Sequence, residues 1–326
     1  MKALVYTGPR QLEYQDVADP CAAGDDVLVC VEAVGICGSD MHAYLGHDER
    51  RPAPLILGHE AAGTVRSGRL EGQRVTINPL VTCGTCSVCR KGRNNLCPNR
   101  QIISMQPRPG AFAELLAIPE ENLVIIPDGI PSEKACLAEP IACGWHAARI
   151  AAGNDRDALR DGCCLVIGGG AIGLGAALAL RAIGAADVRV AETNVNRHPA
   201  IASAGFPIFD PASEDLFDIV IDGVGFSATR ALTSRLAKPG GIIAHIGLGD
   251  NKGGLDIRRM TLQEIAFVGT YTYTPQDFRD TARAIFEGRL GALDWSETRA
   301  LKDGASAFAD ILSGNAAAPK IILNPA

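Results

Sequence analysis

The sequence predicts an α/β protein with a β-rich, barrel-like domain followed by a doubly wound parallel sheet. Three observations carry this. At 326 residues the chain is about twice a typical domain length. Its first part holds short β-like runs cut by Gly and Pro. From about Ala138 onward, strand-like and helix-like runs alternate in units of the length that a parallel sheet with crossover helices requires.

The β-rich part, residues 1–143, contains VLVCVEAVG (27–35), QRVTINPL (73–80), FAELLAIP (112–119) and NLVIIP (122–127). In the second part, 144–274, HAARIAAG is helical, CLVIGGG a buried strand and AIGLGAALALRAIGA an apolar helix. VRVAE and FDIVIDGVG follow as strands, ATRALTSRLAK as a helix and GIIAHIGLG as a strand. The last stretch, 275–326, holds helices in PQDFRDTARAIFEG and ASAFADILSG and a final strand, PKIILNP. A short tail after a complete α/β unit is expected to return to the first domain as an edge strand or flank.

Composition narrows the function classes. Hydrophobic residues are 47% and charged residues 21%, enough for an ordinary core without staples. A net charge of −6 argues against nucleic acid as the main partner. MKALVYTGPRQLEYQDV has no apolar leader, and the longest apolar run, Ala171–Ile183, is broken by Gly173, Gly175 and Arg181. The expectation is a cytoplasmic protein without a membrane span. In a reducing compartment eleven cysteines read as metal ligands and buried thiols rather than disulfides. Cys21, Cys30, Cys163 and Cys164 are taken as buried thiols, as is Cys143 apart from its alternative reading as a metal ligand.

Four of the cysteines lie in one polar loop, CGTCSVCRKGRNNLC, as Cys83, Cys86, Cys89 and Cys97. This C-x2-C-x2-C-x7-C spacing lets four sulfurs converge on a tetrahedral zinc ion. Gly84, Gly92 and Asn94-Asn95 allow the loop to curl, and Arg90, Lys91 and Arg93 offset the charge of four thiolates. An iron–sulfur cluster and a disulfide knot are the competing readings. A zinc ion held by four thiolates has no open position, so its role is structural.

A second constellation is built from GICGSDMH (35–42), GHEAAG (58–63) and AEPIACGWH (138–146). Cys37, His59 and Glu139 supply one thiolate, one imidazole and one carboxylate, which leave a tetrahedral ion with an open corner. A third motif follows the strand CLVI: Gly168, Gly170 and Gly173 form G-x-G-x-x-G at the start of a helix, and the acidic Glu192 lies nineteen positions further on, at the end of the next strand. In that context the glycines admit a pyrophosphate to a helix N-terminus and the acid binds ribose hydroxyls. A 2′-phosphate would meet like charge at Glu192, so NAD is favoured over NADP.

GICGSDMH, GHEAAG, the four-cysteine loop and VIGGGAIG (166–173) occur in one order, and the set resembles the zinc-dependent medium-chain alcohol dehydrogenase family over nearly the whole chain. Glu139 followed by Pro is similar to the polyol (sorbitol-like) and threonine dehydrogenase branches. The resemblance implies a GroES-like catalytic domain, a Rossmann domain and two zinc ions per chain, one catalytic and one structural. It matches Cys37, His59 and Glu139 to the catalytic zinc ligands, and Glu60 to a carboxylate that can approach the metal. It matches Asp40 to the partner of the ligand imidazole, Ser39 to the hydroxyl that takes the alcohol proton, and His42 to the relay that passes it on. Around the cofactor it matches Ile172, Arg197, Val224 and Leu248.

The implied reaction is reversible hydride transfer between NAD and a small secondary alcohol, polyol or sugar-derived alcohol, by a homodimer or homotetramer. Alternatives are an L-threonine 3-dehydrogenase-like activity, a zinc-free double-bond reductase, and a regulatory or nucleic-acid module built on the four-cysteine loop. The chain departs from the family in three places. SGRLEGQ (67–73) is a shortened link, Gly38 follows Cys37 where some members carry a phosphate-binding arginine, and Thr272 stands where sorbitol dehydrogenases carry an arginine.

Overall fold

The computed structural model describes residues 1–153 and 159–325, and the backbone of 156–158. The chain forms two compact units, one of Met1–Glu139, Phe278–Glu287 and Trp295–Ala326, the other of Pro140–Asp277 and Gly288–Asp294.

The first unit begins with β1 (Lys2–Gly8), β2 (Gln11–Asp16), β3 (Asp26–Gly35), α1 (Gly38–Tyr44), β4 (Leu55–Ile56), β5 (Glu60–Val65) and β6 (Arg74–Ile77). It continues through β7 (Leu80–Val81), α2 (Ser87–Arg90), β8 (Gln101–Ile102), β9 (Leu115–Pro119), β10 (Leu123–Ile125) and α3 (Ser132–Ala135). β3 organises it. Val27, Val29 and Val31 alternate inward with half-buried neighbours, the period of a strand with one face on the core. β5 pairs antiparallel along β3, with Gly63 so close that a Cβ would lie 2.0 Å from the Cys30 carbonyl oxygen. Their register sets Gly35 opposite Glu60.

The second unit holds most of α4 (Ala138–Ala152), then α5 (Arg156–Asp161), β11 (Cys163–Ile167), α6 (Ala171–Ile183), β12 (Asp187–Ala191), α7 (His198–Ser203) and β13 (Phe217–Asp222). α8 (Ser227–Leu236), β14 (Ala237–His245), α9 (Ile257–Leu262), β15 (Ala266–Gly269) and the start of α10 (Pro275–Phe286) follow. All pairings are parallel, in the order β12-β11-β13-β14-β15. β11 therefore has the strand that follows it on one side and the next strand on the other. The crevice beyond its carboxyl end is the switch point at which open α/β sheets bind ligands. α4 meets α6 through small residues: a Cβ on Gly144 would lie 2.4 Å from the Ala176 amide nitrogen. Asp277, in the first turn of α10, is bound by His146 (2.8 Å), Arg149 and the Thr274 hydroxyl (2.7 Å). Burial works against this carboxylate, but these partners outweigh it and hold its pKa well below the ordinary range. His146 thus has a structural partner.

β16 (Ser296–Ala300), α11 (Gly304–Ser313) and β17 (Lys320–Asn324) belong to the first unit. β17 is not an edge strand: it lies between β3 and β16, and β16 takes the outer position. KIIL is buried at every residue, so its backbone groups require ladder partners on both sides. Phe308 of α11 is fully buried and packs edge-to-face on Tyr44 (centroids 5.2 Å) and Phe112 (5.9 Å). The cysteines sort differently from expectation. Cys164 is buried, Cys30, Cys143 and Cys163 are half-buried, and Cys21 is exposed, in the segment between β2 and β3.

Phe308→Ala removes the ring that joins α11 to this core. We expect a loss of about 3–5 kcal/mol in unfolding free energy, read from the shift of the urea midpoint.

Candidate active site

β3 ends at Gly35. Cys37 stands two residues beyond the strand, just before α1, and His59 stands one residue before β5. The register that sets Gly35 opposite Glu60 closes the triangle, and ligand atoms of Cys37, His59 and Glu60 all lie within 4.8 Å of one another. Gly35 has to lack a side chain here, because a Cβ would lie 2.0 Å from Glu60 Oε2.

Among the described residues Glu139 is not a member of this group. It is buried in the first turn of α4, and its charge acts on Lys320. Lys320, the first residue of β17, is also buried. Its ammonium donates to the Ile36 carbonyl (2.9 Å) and to Glu60 Oε1 (2.6 Å). Burial pulls the lysine pKa down, but Glu60, Cys37 and Glu139 together outweigh it and raise it above the ordinary value. Glu60 Oε2 is left buried with no hydrogen-bond partner. A thiol, an imidazole and a carboxylate with one orphaned oxygen, gathered this closely, are the donor set of a zinc site, so these residues fit the ion.

Asp40 is fully buried. It accepts from the Cys37 amide (3.0 Å) and the Gly58 amide (3.3 Å) and lies 3.4 Å from His59 Nδ1. Burial alone would raise its carboxyl; His59, Arg51 and the Cys37 amide outweigh that and lower it. With Nδ1 turned to Asp40, Nε2 is the nitrogen left for a metal. Ser39 is half-buried in the first turn of α1, and His42, one turn on, is exposed.

The four-cysteine loop curls as its spacing requires. The sulfurs of Cys83, Cys86, Cys89 and Cys97 lie within 4.8 Å of one another, with Cys97 Sγ 3.5 Å from Cys83 Sγ and 3.9 Å from Cys86 Sγ. None of the eleven cysteines is in a disulfide. The backbone amides of Cys86 and Thr85 lower the Cys83 thiol to about 6, while burial pushes Cys89 up to about 12. Four thiols this close cannot all ionise without a cation among them, and a tetrahedral zinc ion supplies one.

In the second unit the glycine motif occupies the turn between β11 and α6. Gly168 has φ +100°, and a Cβ on Gly173 would lie 1.9 Å from the Gly168 carbonyl oxygen. Val224 reaches toward Gly168, where a Cβ would meet it at 2.6 Å, while Ile172 is half-buried in the first turn of α6. Glu192 follows β12. Its Oε2 accepts from the Gly169 amide (2.7 Å) and its Oε1 from the Asn194 amide (2.7 Å). Arg197 Nη1 lies 3.3 Å from Oε2, 3.7 Å from where a Cβ of Gly170 would stand. Burial opposes ionisation of Glu192, but the two amides and Arg197 outweigh it and lower its pKa. Leu248, in the loop after β14, is exposed.

Residues 23–128 match the family described as the alcohol dehydrogenase GroES-like domain. Over 311 residues the chain is 32% identical to the L-galactonate-5-dehydrogenase of Escherichia coli (strain K12), covering 90% of this chain and 89% of that protein. The chain belongs to the zinc-dependent medium-chain alcohol dehydrogenase family. Within that family it is similar to the polyol branch: it is 33% identical over 299 residues to the sorbitol dehydrogenase of Bacillus subtilis (strain 168), covering 84% and 82% of the two chains. Among solved structures, a zinc-binding dehydrogenase from Sinorhizobium meliloti 1021 bound to NADP superposes with a TM-score of 0.88 at 27% identity, covering 99% of each chain.

This medium-chain dehydrogenase is therefore a zinc-type, NAD(P)-linked oxidoreductase of the alcohol and polyol class. No helix among the described residues is long and apolar enough to cross a membrane. Lys320 is not evident from motif or spacing. Its signal was a charged residue opening an otherwise apolar strand, which is costly in a core unless the charge is paired.

Lys320→Met leaves Glu60 buried without its counter-charge. In the metal-free dehydrogenase we expect a loss of about 3–5 kcal/mol by urea unfolding, and Glu60→Gln in the same chain should restore part of it.

Proposed function

We propose that the chain reversibly oxidises a secondary hydroxyl of a small polyol, sugar-derived alcohol or simple secondary alcohol, with NAD as the preferred acceptor. The observation that carries this reading is the convergence of Cys37, His59 and Glu60, whose ligand atoms lie within 4.8 Å of one another, with Glu60 Oε2 buried and unpartnered. Cys37, His59 and a carboxylate would hold the catalytic zinc. Glu60 is the carboxylate within reach, and Glu139 shares its lysine. Cys83, Cys86, Cys89 and Cys97 would hold the second, structural ion. When bound, the zinc supplies a Lewis acid that makes the alcohol more acidic, and the nicotinamide supplies the hydride acceptor.

The chain's own side chains do the rest. Ser39 takes the proton of the alcohol, and His42, exposed one turn away, passes it to water. Asp40 holds the His59 ring by Nδ1. Gly168, Gly170, Ile172 and Gly173 admit the pyrophosphate to the N-terminus of α6. Glu192 accepts from the adenosine ribose hydroxyls with lone pairs that Gly169 and Asn194 leave open, and Arg197 keeps its charge in check. Val224 and Leu248 border the nicotinamide. Glu192 disfavours a 2′-phosphate, while Arg197 beside it tempers that preference. Eleven cysteines with no disulfide among them suit a reducing cytoplasm, and a homodimer or homotetramer is the assembly the resemblance implies.

A screen of polyols and secondary alcohols with NAD and NADP, following absorbance of the reduced cofactor, tests the reading. Cys37→Ser should lower kcat by about 10³-fold or more, in line with the several kcal/mol a Lewis acid contributes, and leave NAD affinity unchanged by calorimetry. Retained turnover in that variant would refute a zinc-assisted reaction. Glu192→Ala should move the ratio of kcat/KM for NAD over NADP toward NADP by about tenfold, the equivalent of one lost charge repulsion near a surface.

A further inference from the structure

Ser104 is fully buried and has φ +71°, the left-handed region that a glycine enters freely and a serine does not. It lies just beyond β8, and the surroundings hold it there. Its carbonyl accepts from Arg51 Nε (3.0 Å), and Arg51 is itself buried, with Nη1 on the Ser39 carbonyl (2.9 Å) and on Asp48 Oδ2 (3.1 Å). None of these bonds uses the serine side chain, so a glycine would make them with less strain. What the hydroxyl adds is contact with two side chains: Oγ lies 3.3 Å from His59 Nδ1 and 3.5 Å from Arg51 Nη2.

His59 Nδ1 thus has two oxygens before it, Asp40 Oδ1 at 3.4 Å and Ser104 Oγ at 3.3 Å. Asp40 also serves the Cys37 and Gly58 amides. A single long contact to a shared carboxylate would leave the imidazole plane loosely set. A second acceptor on a different segment fixes the ring against rotation and keeps the proton on Nδ1. Strain retained at a buried residue whose side chain touches a ligand histidine points to a use for that side chain.

We propose that Ser104 is a positioning residue of the catalytic metal site: with Asp40 it accepts the Nδ1–H of His59 and so presents Nε2 to the ion. This rests on the reading that Cys37 and His59 bind zinc. Two variants of the full-length enzyme separate hydroxyl from backbone. Ser104→Gly removes the hydroxyl and relieves the left-handed strain; Ser104→Ala removes the hydroxyl and keeps the strain. The readouts are melting temperature and affinity for the zinc ion that Cys37→Ser lacks, measured by competition with a chelator, together with the visible spectrum after cobalt replacement of that ion.

Ser104→Gly is expected to melt at or above the parent temperature, and both variants to bind the ion at least about tenfold more weakly than the parent, with shifted cobalt bands. Zinc affinity and cobalt bands of Ser104→Gly equal to the parent's would overturn the proposal, as would affinities that simply follow melting temperature across the two variants. Should Ser104→Gly fail to fold, Ser104→Ala decides alone: parent-like affinity overturns the proposal and a tenfold loss supports it. If the parent and Cys37→Ser hold equal amounts of zinc, it is the metal reading that fails, and the role assigned to Ser104 falls with it.

Discussion

A single buried ammonium underlies the metal-binding half of this protein. Cys37, Glu60 and Glu139 bring acidic groups into one apolar region, and Lys320 is the cation set among them. Charges desolvated in this way persist only when paired, and here the pairing is across the length of the chain. The lysine arrives on β17, so the final strand is part of the site as well as of the sheet. Its bond to Glu60 Oε1 leaves Oε2 buried without a hydrogen-bond partner. The sheet therefore brings the lysine to the carboxylate that stands with Cys37 and His59.

The second unit handles charge by a different route. Glu192 is held ionised by two backbone amides and one arginine, each from a loop near the carboxyl end of the parallel sheet. The glycine turn and the carboxylate belong to the same hydrogen-bonded assembly, since Gly169 donates to Glu192. The glycine turn and the acid after β12 are then set by one geometry. A change in either would be felt by both.

Much of this is legible in the sequence. The strand–helix alternation after Ala138 and the Gly- and Pro-cut runs before it follow from local periodicity and turn chemistry, and both appear as the corresponding elements. The four-cysteine loop is equally local. Its ligands lie within fifteen residues, so spacing alone implies convergence of Cys83, Cys86, Cys89 and Cys97. Less was legible where partners are distant. Glu60 and Glu139 are both acidic, both near a metal motif, and only the β3–β5 register brings Glu60 into reach of Cys37. Ser104 reads as an unremarkable polar residue until its φ and its contact with His59 are known.

The sequence by itself determined the order of elements, the cysteine cage, the glycine turn with its acid, and the presence of a thiol, an imidazole and carboxylates able to take a metal. These depend on residue type and on separations short enough for the chain to enforce. Tertiary structure alone decided that β17 lies inside its sheet, that Lys320 meets Glu60, and that Ser104 touches His59. Those outcomes depend on strand register and on burial, which arise only when segments far apart along the chain exclude water together.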